Sequence, residues 1–374
     1  MNPFEKKISN PTAYIDEVSL INNIKLIKEI NQDSKLFPVV KANAYGHGIN
    51  IVTQILSPLV DGFAVARIDE AKEIRSIGIK KPILIMSPSV SNDIAEYKKQ
   101  NFIPLIHSKE IHTFFENKSD NLWFKVDTGM HRLGLSIKDL NELVKDHKKS
   151  TVMSHFQSAQ KENLNRNIEQ LKFFFENNKS KINQLSWDNS STILKSKLDN
   201  YNYDLQKNNI CRDMKNEVIR PGIMLYGIDP LDVPNKYSKR LEPVMTLCAP
   251  IISIRKIEKG ESVGYNGIWT STKKSTIATI GIGYGDGYPR KIKKNTPVLI
   301  KNIKAPIIGE VSMDTICVDI TELTEKGNKV EVGECVILWG KSLQVNEIAQ
   351  YSGTISYELL SKVMPRVERV ATYS

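Results

Sequence analysis

Residues 36–48 read Leu36-Phe37-Pro38-Val39-Val40-Lys41-Ala42-Asn43-Ala44-Tyr45-Gly46-His47-Gly48. An apolar run of strand character ends abruptly in a lysine, and a turn-rich segment follows. A lysine at the C-terminal end of an apolar strand can point into the mouth of a barrel. Partial desolvation there lowers its pKa and makes it a usable amine nucleophile or base. Taken alone, a solvated loop lysine is the better reading, so the surrounding sequence has to decide.

Working outward, apolar strand-like runs recur at 62–66, 82–86, 102–106, 122–126, 151–155, 182–187 and 217–220. Helical patterns lie between them, at 69–77, 93–100, from 109, at 137–147 and around 164–177. Counting the run at 36–40, this makes eight strand–helix alternations, the number a (β/α)8 TIM barrel requires. A doubly wound sheet gives a similar alternation. A polar, Lys- and Asn-rich stretch at 195–216 reads as a long loop or frayed helix between the last two strands. Beyond about residue 235 the texture changes to β-branched segments broken by Gly, Pro and Asn, at 244–257, 275–282, 298–301, 305–308, 315–320 and 329–338. Late helices are expected at 345–351 and 355–363. The expected architecture is α/β: a barrel over residues 1–238, then a mostly β domain over 239–374.

With 374 residues, 40% hydrophobic and 25% charged, the composition excludes a disordered chain, a collagen-like repeat and a coiled coil. The excess of 52 Lys+Arg over 42 Asp+Glu, +10 formally, raises the question of nucleic acid. The basic residues are spread along the chain, and patches such as 291–294 read as solvated surface; no nucleic-acid partner is expected. Cys211, Cys248, Cys317 and Cys335 form no C-x-x-C pair and none stands at metal-ligand spacing with His. They read as inert thiols of a reducing compartment, and no metal is expected. The first 16 residues lack the apolar run of a signal peptide, and no window approaches the roughly 20 apolar residues of a membrane helix. The expectation is a soluble, cytoplasmic protein with no membrane partner.

A barrel of this kind places its chemistry at the C-terminal ends of its strands. After Lys41, the fifth strand runs into Arg132, set among glycines where the backbone can turn and aim a guanidinium inward. The sixth ends at His155. Asn189, Ser190 and Ser191 follow the seventh, and Arg220-Pro221-Gly222-Ile223 closes the eighth. Ser190, Gly222 and Ile223 are placed for a phosphate, which such barrels often bind with the loops after strands seven and eight. Together these residues describe a cofactor with an aldehyde, an aromatic ring and a phosphate.

The stretch from Val39 to Gly48 resembles the pyridoxal phosphate attachment motif of the alanine racemase family. Asp127-Thr128-Gly129-Met130-His131-Arg132-Leu133-Gly134, Arg220-Pro221-Gly222-Ile223-Met224-Leu225-Tyr226-Gly227, Val263-Gly264-Tyr265, Gly283-Tyr284-Gly285-Asp286-Gly287 and Ser312-Met313-Asp314 match the same family in the same order. The resemblance spans nearly the whole chain. The glycine series from Gly281 to Gly287 has the wrong spacing for a dinucleotide fingerprint.

The resemblance implies a homodimer with shared active sites that interconverts L- and D-alanine on pyridoxal 5'-phosphate and supplies D-alanine for peptidoglycan. Lys41 would hold the cofactor as a Schiff base and act as base on one face of the α-carbon. Tyr265, from the second subunit, would be the base on the other. Tyr45, Ser190, Gly222, Ile223 and Tyr357 would hold the phosphate, with Ser191 as the alternative to Ser190. Arg220 would donate to the pyridine nitrogen, Arg132 would contact the phenolic oxygen and the substrate carboxylate, Met313 would lie near that carboxylate, and His155 near the ring. Lys125 corresponds to a lysine carbamylated in some relatives, and Tyr284 and Asp314 would line the entrance. Two departures stand out: Ser186-Trp187-Asp188-Asn189-Ser190 lacks the histidine expected near Ser186, and 195–216 is long and polar. Alternatives are a broad-specificity or serine racemase of the same fold, a basic amino-acid decarboxylase, against which Tyr265 and Arg220 argue, and a non-catalytic pyridoxal phosphate carrier, which leaves the β domain unexplained.

Overall fold

The computed structural model describes residues 7–89, 94–115, 122–147, 150–160, 165–180, 182–195 and 217–373. Most of the polar 195–216 stretch, with Cys211, lies outside them. The chain divides into two compact units. One comprises residues 21–44 and 49–241; the other comprises 1–20, 45–48 and 242–374.

The chain enters with β1 (Thr12–Asp16) and a helix Glu17–Ile30, then passes through eight short strands: β2 (Lys35–Leu36), β3 (Phe63–Val65), β4 (Ile83–Ile85), β5 (Phe102–Ile106), β6 (Trp123–Lys125), β7 (Thr151–Met153), β8 (Gln184–Ser186) and β9 (Val218–Ile219). β3 to β8 pair in order, all parallel. β9 pairs with β2, and single bridges Val39–Ala64 and Leu185–Glu217 complete the ring. The circuit is an eight-stranded parallel barrel, not an open sheet. β3 to β6 are buried along their whole length, as parallel strands covered on both faces must be. Regular pairing stops early in β2 because Pro38 has no N–H to donate. Beyond it Val39 donates to Pro221 O and Val40 to Ala64 O, which carries the barrel wall up to Lys41. Helices Ile49–Leu56, Ile68–Ser76, Ile94–Gln100, Lys109–Phe115, Ile137–Leu143, Asn165–Asn177 and Ser190–Lys195 fall between the strands. Trp187 is fully buried against Phe174 and Phe156, with ring centroids 5.2 and 5.5 Å away.

The other unit is built on β10 (Met245–Ile257), followed by the hairpin β11 (Ser262–Val263) and β12 (Trp269–Thr270), then β13 (Ser275–Ile280), β14 (Pro297–Ile300), β15 (Ile303–Ile308), β16 (Ile316–Asp319), β17 (Cys335–Trp339) and β18 (Glu368–Thr372). β10 pairs with β17 through its first half and with β13 through its second. The ring β10-β13-β16-β15-β14-β17 thereby closes as an antiparallel barrel. Register shifts between Ile251 and Ser253 and between Leu247 and Cys248 mark the bulges that let one 13-residue strand bend through both pairings. β1 pairs antiparallel with β10 and parallel with β18. Residues 1–20 therefore group with the C-terminal segment, whereas the sequence reading placed them with the parallel barrel. The strand expected over 329–338 forms only at its end, because 329–334 is a loop tied by Glu331 to Lys7 and Lys329. Among the described residues no helix is long and apolar enough to cross a membrane.

Candidate active site

The C-terminal mouth of the parallel barrel gathers Lys41, Lys125, Arg132, His155, Ser190, Arg220, Gly222 and Ile223, all in one unit. Lys41 is half-buried and opens a turn in which Ala42, Asn43, Ala44 and Tyr45 all have φ of 52 or 53°. A left-handed run of four non-glycine residues costs about 1–2 kcal/mol per residue and persists only where other bonds fix it. Ala44 donates to Val40 O at 2.9 Å, Asn43 Oδ1 accepts from Ile49 N at 2.7 Å, and Glu70 Oε1 accepts from Ala42 N at 2.7 Å. Burial, and then the charge of Arg132, push the Lys41 amine below its ordinary pKa; Arg220 adds to this and Glu70 opposes it.

Arg220 is buried at 3% exposure and held like a fitted part. Its Nε donates to Ser186 Oγ at 2.8 Å and its Nη2 to Ser154 O at 2.9 Å. Ser186 Oγ in turn donates to Val218 O at 2.7 Å. Thus Ser186, near which a histidine was expected, supplies a hydroxyl acceptor to the guanidinium. Burial lowers the Arg220 pKa to about 10, with Asp188 pulling upward, so it stays charged at neutral pH. Lys125 is 6% exposed. Burial, then Arg220 and Arg132, lower its pKa to about 7 against the pull of Asp127. Burial, then the cations Arg220, Lys125, Arg132 and Lys41, hold His155 well below its usual value, so its ring is neutral.

Arg132 is exposed and rides on a loop organised by Asp127. Asp127 Oδ1 accepts from the N–H groups of Gly129, Met130 and His131 at 3.0–3.1 Å, and Oδ2 meets His131 Nδ1 at 3.1 Å. Against the upward push of partial burial, the N–H donors and His131 hold the Asp127 carboxyl below its ordinary pKa. At the opposite wall Ser190 Oγ accepts from Gly222 N at 2.8 Å and Met224 N at 3.3 Å, flanking Ile223. Asn189 Oδ1 caps the next turn by accepting from Ser191 and Thr192 N, so Ser190 faces the glycine loop. The mouth therefore carries four basic side chains around a neutral imidazole, with hydroxyl and backbone N–H groups on one wall. That donor set fits an anionic, phosphorylated aromatic aldehyde.

The other unit holds Tyr45, Tyr265, Tyr284, Met313, Asp314 and Tyr357. Tyr265 sits in the turn joining β11 to β12 and is 66% exposed. Gly264 enters that turn at φ 77°, a conformation that favours glycine, and Asn266 Nδ2 donates to Glu310 Oε1 at 3.3 Å. Tyr284 N donates to Ser312 O and Gly285 N to Met313 O, stitching the two motifs into one surface. Arg366 bridges Asp286 at 2.7 Å and Asp314 at 2.8 Å. The rings of Tyr45 and Tyr357 lie 6.1 Å apart, and burial raises both phenols, Tyr357 to about 12. Gly46 next door is obligatory, since a Cβ there would fall 1.9 Å from Leu360 O. Sequence reasoning missed Glu70, Ser154 and the role of Asp127. Glu70 carried one signal, a glutamate three residues into a helix that follows a strand end.

The chain thus joins in sequence a parallel barrel with a lysine at its mouth and an antiparallel barrel that presents an exposed tyrosine. Family models for the alanine racemase N-terminal domain and C-terminal domain match residues 15–230 and 244–371. An alanine racemase of Vesicomyosocius okutanii subsp. Calyptogena okutanii (strain HA) is 42% identical over 96% of this chain and 97% of its own length. The biosynthetic alanine racemase of Pseudomonas aeruginosa superposes with a TM-score of 0.85 at 34% identity, covering 98% of this chain and all of that one. A Bartonella henselae alanine racemase structure described as carrying covalently bound pyridoxal phosphate gives 0.83 at 27% identity, over 98% and 100% of the two chains. The chain belongs to the alanine racemase family, and it is an isomerase that interconverts L- and D-alanine.

Proposed function

We propose that this chain works with pyridoxal 5'-phosphate attached through Lys41 Nζ, as a cytoplasmic homodimer with shared active sites that supplies D-alanine for peptidoglycan. The observation that carries the reading is Lys41 itself. It is a half-buried amine of lowered pKa at the rim of a barrel, facing Arg132 and Arg220. When bound, the cofactor supplies an electron sink that acidifies the α-proton of alanine. Lys41 Nζ removes or returns that proton on one face of the α-carbon, and Tyr265 of the partner subunit does so on the other. One base on each face inverts configuration without the intermediate having to rotate.

The remaining roles are those the family resemblance implies. Ser190, Gly222, Ile223, Tyr45 and Tyr357 would hold the phosphate. Arg220, which keeps its protons, would give the cofactor's ring nitrogen a hydrogen bond only, and that would weaken electron withdrawal and favour prompt return of the proton. Arg132 would receive the substrate carboxylate and the phenolic oxygen, Met313 would lie near that carboxylate, and neutral His155 would lie near the ring. Tyr284 and Asp314 line the entrance. Lys125, part-neutral near pH 7, is able to add carbon dioxide: its nitrogen bonds the carbon and releases a proton. The resulting carbamate anion would offset two neighbouring cations, Arg132 and Arg220. The test of attachment is spectroscopic. Lys41→Ala should lose the visible absorbance of lysine-bound pyridoxal phosphate, and retention of that band would remove Lys41 from the mechanism.

A further inference from the structure

The rim of β3 and the residue after Lys41 meet at one carboxylate. Glu70 Oε2 accepts from Ala66 N at 2.7 Å and Arg67 N at 3.0 Å, which is ordinary chemistry for the start of helix Ile68–Ser76. Its other oxygen does something a helix start does not need. Glu70 Oε1 reaches to Ala42 N at 2.7 Å, 28 positions earlier in the chain and the first residue of the left-handed turn. A single carboxylate thus takes three backbone N–H groups from two neighbouring strand ends, with both oxygens used.

We propose that Glu70 is the positioning residue of Lys41: it pins the turn that aims the amine into the barrel mouth and sets one negative charge beside it. This deepens the reading of Lys41 as attachment point and base, and rests on it. The charged groups acting on the Lys41 amine are Arg132 and Arg220, which push its pKa down along with burial, and Glu70, which alone among them pushes up; neutral His155 shares the same mouth. Without Glu70 the amine would sit in an uncompensated cationic pocket, on a turn that has lost its first anchor.

Glu70→Gln separates this role from a merely structural one. An amide has one acceptor oxygen, so whichever way it turns, either the Ala42 bond or the Ala66 and Arg67 pair meets an N–H instead. The full chain, freed of cofactor, is treated with a small amine-acylating reagent across pH, and Lys41 labelling is read by peptide mass. In parallel, kcat and KM for alanine are measured on the cofactor-loaded enzyme. The expected result in Glu70→Gln is a Lys41 labelling midpoint lower by on the order of 0.5–1 pH unit. With it, kcat falls by about tenfold while KM changes little, as for a displaced reacting group. Glu70→Asp, which keeps the charge, should return the midpoint toward that of the unmodified chain. A Glu70→Gln midpoint equal to the unmodified one overturns the proposal, even if the variant melts earlier or loses activity. Labelling needs no cofactor, so failure of the attachment reading shows separately, as cofactor retained by Lys41→Ala.

Discussion

Lys125 brings a charge into the barrel wall that water would otherwise hold. Burial, then Arg220 and Arg132, bring its pKa from 10.5 to about 7. A folded-state pKa below the unfolded one means that, between about pH 7 and 10.5, the unfolded chain binds the extra proton, so stability rises with pH through that window. Lys125→Met, of similar volume and uncharged, should therefore melt higher than the unmodified chain at and below neutral pH in carbon dioxide-free buffer. The gain should vanish as pH approaches 10.5. An equal gain at both ends would mean that packing, not protonation, governs the site. Lys41 and Arg220 could be picked out in the sequence because each ends an apolar run, and Arg132 because it sits among glycines just beyond one; a barrel sends such residues to its mouth. Glu70 was not, because its function depends on the separation of two strand ends that only the fold brings together. Ser186 was legible only through the histidine missing near it, since its hydroxyl matters through Arg220 Nε.

At the scale of elements, the loop from Asp127 to Gly134 shows how a strand end is made into a tool. Three N–H groups converge on Asp127 Oδ1, and Asp127 N and Leu135 N exchange bonds with Leu135 O and Lys125 O across the loop's neck. Asp127→Ala should free the loop and with it Arg132. We expect stability to fall by on the order of 1 kcal/mol, since the carboxylate is partly exposed, and KM for alanine to rise roughly tenfold. Denaturant unfolding and steady-state kinetics check both; an unchanged KM would mean that Arg132 is placed by something else. The strands at 102–106 and 62–66 were legible because continuous apolar runs of that length bounded by turn signals have few other uses. β1 was not. Its five residues pair with β10 and β18, more than 200 positions away, and their pattern points to neither partner.

For the whole molecule, the two candidate bases fall in different units of the chain. The lysine and its cations belong to the parallel barrel, and the exposed Tyr265 belongs to the antiparallel one. The basic excess that first raised nucleic acid, +10 formally, includes the buried and rim cations Lys41, Lys125, Arg132 and Arg220 of one barrel mouth. The change of texture near residue 235 was legible because β-branched segments broken by Gly, Pro and Asn follow βα alternation. The return of residues 1–20 to the C-terminal unit was not, because it depends on strand pairing rather than on pattern. Two bases, Lys41 and Tyr265, are proposed to serve opposite faces of one α-carbon. The most direct measurement is α-proton exchange of L-alanine and of D-alanine in deuterated water, comparing the unmodified enzyme with Tyr265→Phe. Two bases predict that exchange survives on one enantiomer and is lost on the other; equal loss on both would contradict them.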